Sequence, residues 1–242
     1  MIVLAHRGAS GRAPENTMAS FRLARDLGAD GIELDVQLTS DGFVVVLHDE
    51  DVRRTSDGLG RVSSMTLQEL RTLDFGGWFS DAFQGERIPL LLEVVEFVSA
   101  TGLWLNIELK GSPDLSPALP RAVADIVRGR LDPLRTILST FDTPAMDEIA
   151  SLLPEYPRAL LVEKLDGSSW AGISRRDANG SPFYRFVHPH FSALDAGRIT
   201  RIHDAGLKIH PWTLDRIRPL ARMVALGVDG VITGFPERAL GK

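Results

Sequence analysis

The chain is 242 residues long, 44% hydrophobic and 24% charged, which gives apolar surface enough for a sizeable core and excludes intrinsic disorder. A formal net charge of −5 leaves no basic footprint for nucleic acid, so no polyanionic partner is expected, although a locally basic cleft can still draw in a small anion. With no cysteine, disulfides, thiolate catalysis and thiolate zinc sites are excluded together.

The first apolar run, IVLA from Ile2, reads as a strand ending at His6; no basic region precedes it, and it is too short for a signal peptide. A helix is expected near residues 15 to 27, then two strands, GIELDV from Gly31 and VVVL from Val44. The connection from Gln37 to Gly42 is too short for a crossover helix, so one repeat must be irregular. Residues 49–87 form a long insertion after the third strand, expected to cover one end of the fold, with a capping box in TLQE where Thr66 caps and Glu69 reaches back. Leu91, Val94, Val95 and Val98 recur at helical spacing, with Pro89 ahead and Gly102 placed to close the helix. LWLNIEL from Leu103 follows as a strand, then a helix near 116 to 129 and the strand TILS from Thr136. Met146, Ile149, Ala150 and Leu153 mark the next helix, behind Asp142 as N-cap and Pro144 in the first turn. After ALLV from Ala159 come a ninth candidate strand at Phe186 to His188, a helix near 193 to 205, and KIHPW from Lys208. Ile217, Leu220, Ala221 and Val224 predict the last long helix, capped by Asp215 and closed by Gly227, before the strand GVIT from Gly230.

Alternation of strand and helix over the whole length predicts a parallel sheet with crossover helices. About eight repeats favour a closed (β/α)8 TIM barrel, one domain over residues 1–242, rather than a doubly wound sheet. The longest uncharged stretch, from Phe97 to Ile107, falls short of the roughly 20 residues that span a bilayer, so a soluble, cytoplasmic protein with no stable membrane association is expected.

In GIELDVQ, Ile32, Leu34 and Val36 alternate with Glu33, Asp35 and Gln37; in LNIELK, Asn106, Glu108 and Lys110 share one side. On a lone strand such a polar face meets water. In a β/α barrel the apolar face packs on the helix ring and the polar set points inward, where unpaired carboxylates cost several kcal/mol. Glu33, Asp35 and Glu108 are therefore candidate ligands of one hard divalent cation, Mg²⁺ or Ca²⁺; the other reading is an internal salt-bridge network in which Lys110 supplies the neutralising charge. His6 and His48 each close a strand and can divide acid and base work in a displacement at phosphorus, with Arg7 offering a planar fork to phosphate oxygens.

The strings HRG from His6, PENT from Pro14, IELDVQLTSDG from Ile32, VVLHD from Val45, IPLLLEVVE from Ile88 and NIELK from Asn106 resemble the ordered motif set of glycerophosphodiester phosphodiesterases. The likeness is in register over about the first 110 residues and then thins to LSTF from Leu138, WTLD from Trp212 and VDGVITGFP from Val228. The resemblance implies a TIM barrel with a small insertion after the third strand, a general acid/base pair of His6 and His48, a metal held by Glu33, Asp35 and Glu108, and phosphate binding by Arg7 and Lys110. It also implies a small-molecule glycerophosphodiester substrate, split to glycerol 3-phosphate and an alcohol, either through a cyclic phosphate formed by the glycerol hydroxyl or by direct attack of water. Where the family commonly has WTVN and an Asp after the final Thr, this chain has Leu214, Asp215 and Gly234.

Several residues carry two readings. Asn16 caps a helix or, with Glu15, supports the site from behind. Trp212 packs under the mouth or stacks on the substrate's glycerol as a binding residue. His188 and His190 are core or surface residues, or metal ligands. Trp78, Phe79 and Phe83 build a small core in the insertion or grip the substrate. Two rival functions remain: a barrel phospholipase with a lipid substrate, and a sensor that binds metal and phosphate without turnover, against which the two histidines speak.

Overall fold

The computed structural model describes residues 1–110 and 118–241. Among them are nine strands: β1 (Ile2–His6), β2 (Gly31–Leu38), β3 (Val44–Val46), β4 (Trp104–Leu109), β5 (Thr136–Thr140), β6 (Arg158–Val162), β7 (Phe186–Pro189), β8 (Lys208–Ile209) and β9 (Gly230–Thr233). Eight of them run parallel in the order β8-β7-β6-β5-β4-β2-β1-β9. The ladder is open between β8 and β9, where separate backbone bonds close it: Asp229 N–H to Ile209 O at 3.1 Å, Ile232 N–H to Pro211 O at 3.0 Å and Leu214 N–H to Ile232 O at 3.0 Å. The fold is the TIM barrel that the alternation predicts.

The strand in excess of eight is β3. β3 pairs antiparallel with β2, Val36 opposite Val46, so it is a hairpin folded back on β2 and not a stave; the candidate strand at Phe186 is the stave that completes the eight. A five-residue connection suffices for a hairpin and resolves the short linker after Gln37.

Helices α1 (Met18–Leu27), α2 (Leu67–Leu70), α3 (Leu91–Thr101), α4 (Ala118–Val127), α5 (Thr143–Leu152), α6 (Gly167–Ile173), α7 (Ala196–Asp204) and α8 (Ile217–Ala225) lie between the strands, and α9 (Pro236–Ala239) follows β9. Residues 116 and 117 of the expected fourth helix lie outside the described residues. α3 buries all four predicted residues in the large hydrophobic cluster that also holds Ile32, Leu34 and Val36 of β2. Thr66 and Glu69 form the expected capping box at α2, and Asp142 caps α5. The α8 stripe is displaced: Leu220 and Met223 are buried whereas Ile217 is 69% and Val224 44% exposed. Asp215 does not cap α8 either; it accepts from Gly234 N–H at 2.7 Å and from the Thr233 hydroxyl at 3.2 Å, bracing the end of β9. α1 is capped by Thr17, not Asn16. Among the described residues no helix is long and apolar enough to cross a membrane.

Candidate active site

Strand register assembles the site. β1 sets His6 beside Glu33 of β2, and β4 sets Asn106 beside Glu33 and Glu108 beside Asp35, so polar residues chosen by the two-residue alternation of three strands meet on the inner face at one end. Glu33, Asp35 and Glu108 are 3%, 1% and 8% exposed, and one carboxylate oxygen from each lies within 4.8 Å of the other two. His48 arrives by a different route. The β3 hairpin descends along β2, Leu47 N–H bonds Asp35 O at 3.0 Å, and the Gln37 amide donates to the carbonyls of Leu47 and Asp49 at 2.8 and 2.7 Å, which holds the imidazole over the acidic group.

The turn after β1 is equally constrained. Arg7 (φ 56°) and Gly8 (φ 81°) are both left-handed, and a Cβ on Gly8 would lie 2.3 Å from the Ser20 hydroxyl, so only glycine fits. That turn directs Arg7 back over the site: its backbone N–H donates to Glu33 at 3.0 Å, its Nη1 bonds Glu15 at 2.8 Å, and its Nε sits 3.3 Å from Asp35 without the angle of a hydrogen bond. Asn16, also left-handed at φ 56°, donates to Asp35 at 2.9 Å and so supports the site from behind, the second of its two readings. Lys110 bonds Glu108 at 2.7 Å and approaches Asp35 at 3.4 Å.

Charges in this cluster shift one another. Burial, then the neighbouring carboxylates, push Glu33 well above the usual range, and burial with Asp35 moves Glu108 up to about 7. Burial raises Asp35 too, but Arg7, Lys110, His48 and the Asn16 bond outweigh it and hold it ionised. Burial and Arg7 lower His6 to about 3, and its ring stands 4.0 Å from a Glu33 oxygen. Burial also lowers His48.

A relay of ion pairs, absent from the sequence reading, connects the insertion to this cluster. His48 Nδ1 meets Asp49 at 2.6 Å; Arg54 grips Asp49 at 2.5 and 3.1 Å and Glu15 twice at 2.8 Å; Glu15 in turn holds Arg7. Arg54 holds Asp49 down to about 2.

Seven of the eight residues singled out from sequence, His6, Arg7, Glu33, His48, Glu108, Lys110 and Trp212, line one cavity of about 290 Å³, and Asp35 lies just beneath. Trp212 is in its wall, its indole N–H donating to His188 O at 2.8 Å. The same wall includes Phe141 and Glu163, which sequence did not single out. His188 is not at the mouth: with His210 it forms a stacked pair, centroids 5.2 Å apart, fully buried in the barrel interior against Phe186. Trp78, Phe79 and Phe83 pack edge-to-face on one another outside the cavity.

The donor set fits a hard cation. Three carboxylates share one locus, and the buried Asn106, which lines the same cavity, has an Oδ1 with no hydrogen-bond partner among the described residues. Arg7 and Lys110 neutralise part of the acidic charge and leave room for a divalent ion.

Comparison with known proteins places the chain in a family. The sequence profile of the glycerophosphoryl diester phosphodiesterase family matches residues 6–238. A glycerophosphodiester phosphodiesterase of Caldanaerobacter subterraneus subsp. tengcongensis is 39% identical, the match covering 98% of this chain and 95% of the relative. A probable glycerophosphodiester phosphodiesterase 1 of Mycobacterium tuberculosis is 55% identical over 98% of this chain and 90% of its own. Among solved structures, an Oleispira antarctica phosphodiesterase in complex with the product sn-glycerol-3-phosphate superposes with a TM-score of 0.92 at 31% identity, covering 100% of this chain and 96% of that one.

Proposed function

The chain belongs to the glycerophosphoryl diester phosphodiesterase family, whose members are hydrolases, and on that premise we propose that it splits glycerophosphodiesters to glycerol 3-phosphate and the head-group alcohol by histidine acid–base catalysis beside a carboxylate-held Mg²⁺ or Ca²⁺. The observation that carries this reading is the convergence of two imidazoles and three carboxylates in one cavity. Bound there, the divalent ion would polarise a phosphoryl oxygen and lower the pKa of the attacking hydroxyl.

The protein's own side chains do the rest. Glu33, Asp35 and Glu108 hold the ion, and Arg7 and Lys110, each tied to a carboxylate that fixes its direction, present donors to the remaining phosphoryl oxygens. His6 and His48 share the proton traffic: one ring accepts the proton of the attacking hydroxyl and the other protonates the leaving oxygen. Asp49, accepting from His48 Nδ1, fixes that ring's tautomer and leaves Nε2 for the reaction. Trp212 bounds the substrate.

The test is to incubate the protein with glycerophosphocholine, glycerophosphoethanolamine and a lysophospholipid, each with and without divalent metal, and to assay glycerol 3-phosphate and free head group. Release from the two soluble diesters, abolished by a chelator and restored by Mg²⁺ or Ca²⁺, is expected. Full activity in chelator would remove the proposed role of the carboxylates, and hydrolysis of the lysophospholipid alone would transfer the reading to a lipid substrate.

A further inference from the structure

The cavity has a second wall of different character. Of the charged side chains that line it, Arg7 pairs with Glu15, Glu33 accepts from the Arg7 backbone N–H and Glu108 pairs with Lys110, whereas Glu163, one residue past β6, makes no ion pair or side-chain hydrogen bond among the described residues. A lone carboxylate in the wall of a site for an anionic diester repels its substrate, unless the far end of that substrate carries positive charge. Phe141 and Trp212 line the same cavity as Glu163. Phe141, one residue past β5 and 50% exposed, meets Trp212 edge-to-face at 6.1 Å. Trp212 is fixed by its bond to His188 O and by the His190 ring at 5.3 Å.

Aromatic faces beside a carboxylate are the surroundings an ammonium group seeks, since the ring quadrupole and the full charge attract it together. Phe141 and Glu163 also line an adjoining groove of about 410 Å³ that follows β6 towards α6, so the wall leads out of the cavity in the direction a leaving alcohol can take. Lys164 and Asp166 line that outer groove but not the inner cavity, so Glu163 is the acidic residue shared by the two.

Resting on the hydrolase reading above, we propose that Phe141, Glu163 and Trp212 form a head-group subsite selecting glycerophosphodiesters whose alcohol bears a quaternary or primary ammonium. The substrate then lies as a dipole across the cavity, its phosphate at the carboxylate-bound ion and its cation at this wall.

The test compares kcat/KM for glycerophosphocholine and glycerophosphoglycerol, diesters differing in head-group charge, in the wild type and in Glu163→Gln. A wild-type preference for the cationic diester that falls roughly tenfold in Glu163→Gln is expected. Equal rates on both diesters in the wild type, or an unchanged ratio in the variant, would overturn the subsite; a uniform loss on both diesters would make Glu163 a contact to their shared glycerol phosphate and overturn it as well. Calorimetric titration of the metal-loaded protein with phosphocholine and with ethyl phosphate keeps the subsite falsifiable apart from turnover. Tighter phosphocholine binding that disappears in Glu163→Gln with no hydrolysis of any diester would sink the hydrolase reading and spare the subsite. No difference between the two ligands would sink the subsite whatever the turnover.

Discussion

Burial lowers the pKa of the two imidazoles at the mouth and of the two in the barrel interior, but only the first pair faces a cavity. Replacing His6 or His48 with Ala is expected to lower turnover by roughly two orders of magnitude or more while calorimetry still detects metal binding; activity equal to wild type in both variants would remove the acid–base assignment. The interior pair makes a different prediction. Among the described residues none of the four ring nitrogens of His188 and His210 has a hydrogen-bond partner, and burial lowers His188 well below its ordinary value and His210 from 6.5 to about 4. Below pH 6.5 the unfolded chain binds protons that the folded chain refuses, so stability is complete above that pH and falls as pH drops towards 4, by about 3 kcal/mol for His210. A His188→Leu/His210→Leu variant should therefore show a flatter melting-temperature profile between pH 6.5 and 4 than the wild type; parallel profiles would refute the linkage. Most of the proposed site was legible at this scale because the two-residue alternation of a strand commits a side chain to a face before any fold is known, as it did for Glu33, Asp35 and Glu108. Glu163 and Arg54 gave no such sign, since their significance lies in partners, or the lack of them, across space.

The β3 hairpin matters most among the elements. It brings His48 to the mouth without a stave of its own, so the ring's position depends on what secures the insertion, and Arg54 is the link from Asp49 to Glu15. Arg54→Met is expected to cut kcat roughly 10- to 100-fold with little change in metal affinity, and combining it with Glu15→Gln should cost less than the sum of the two. Unaltered kcat in a variant whose circular dichroism matches wild type would show that the relay is ornamental to the chemistry. Sequence left open which of nine strands was not a stave, because a short run of valines looks the same in a stave and in a hairpin; the length of the linker after Gln37 pointed to the irregular repeat. The α8 stripe failed for a related reason. Ile217, Leu220, Ala221 and Val224 have helical spacing, yet so do Leu220 and Met223 with Leu226, and packing on the barrel selected the second set.

For the molecule as a whole, the alternation of strand and helix carried the architecture, and the long parallel ladder between β2 and β4, with six paired positions, is the best-bonded part of the barrel. The opposite side is the least bonded. β8 has two residues, and its junction with β9 relies on a few isolated backbone bonds, one of which, Leu214 to Ile232, comes just two residues after Trp212. In a deuterium-exchange experiment the amides of Leu214, Asp229 and Ile232 should take up label before those of Ile107 and Leu109, and uniform protection around the ring would contradict this. Opening along that junction would move the tryptophan wall and spare the carboxylates, so the cylinder is built to loosen on one flank while the opposite flank keeps its three acids in register.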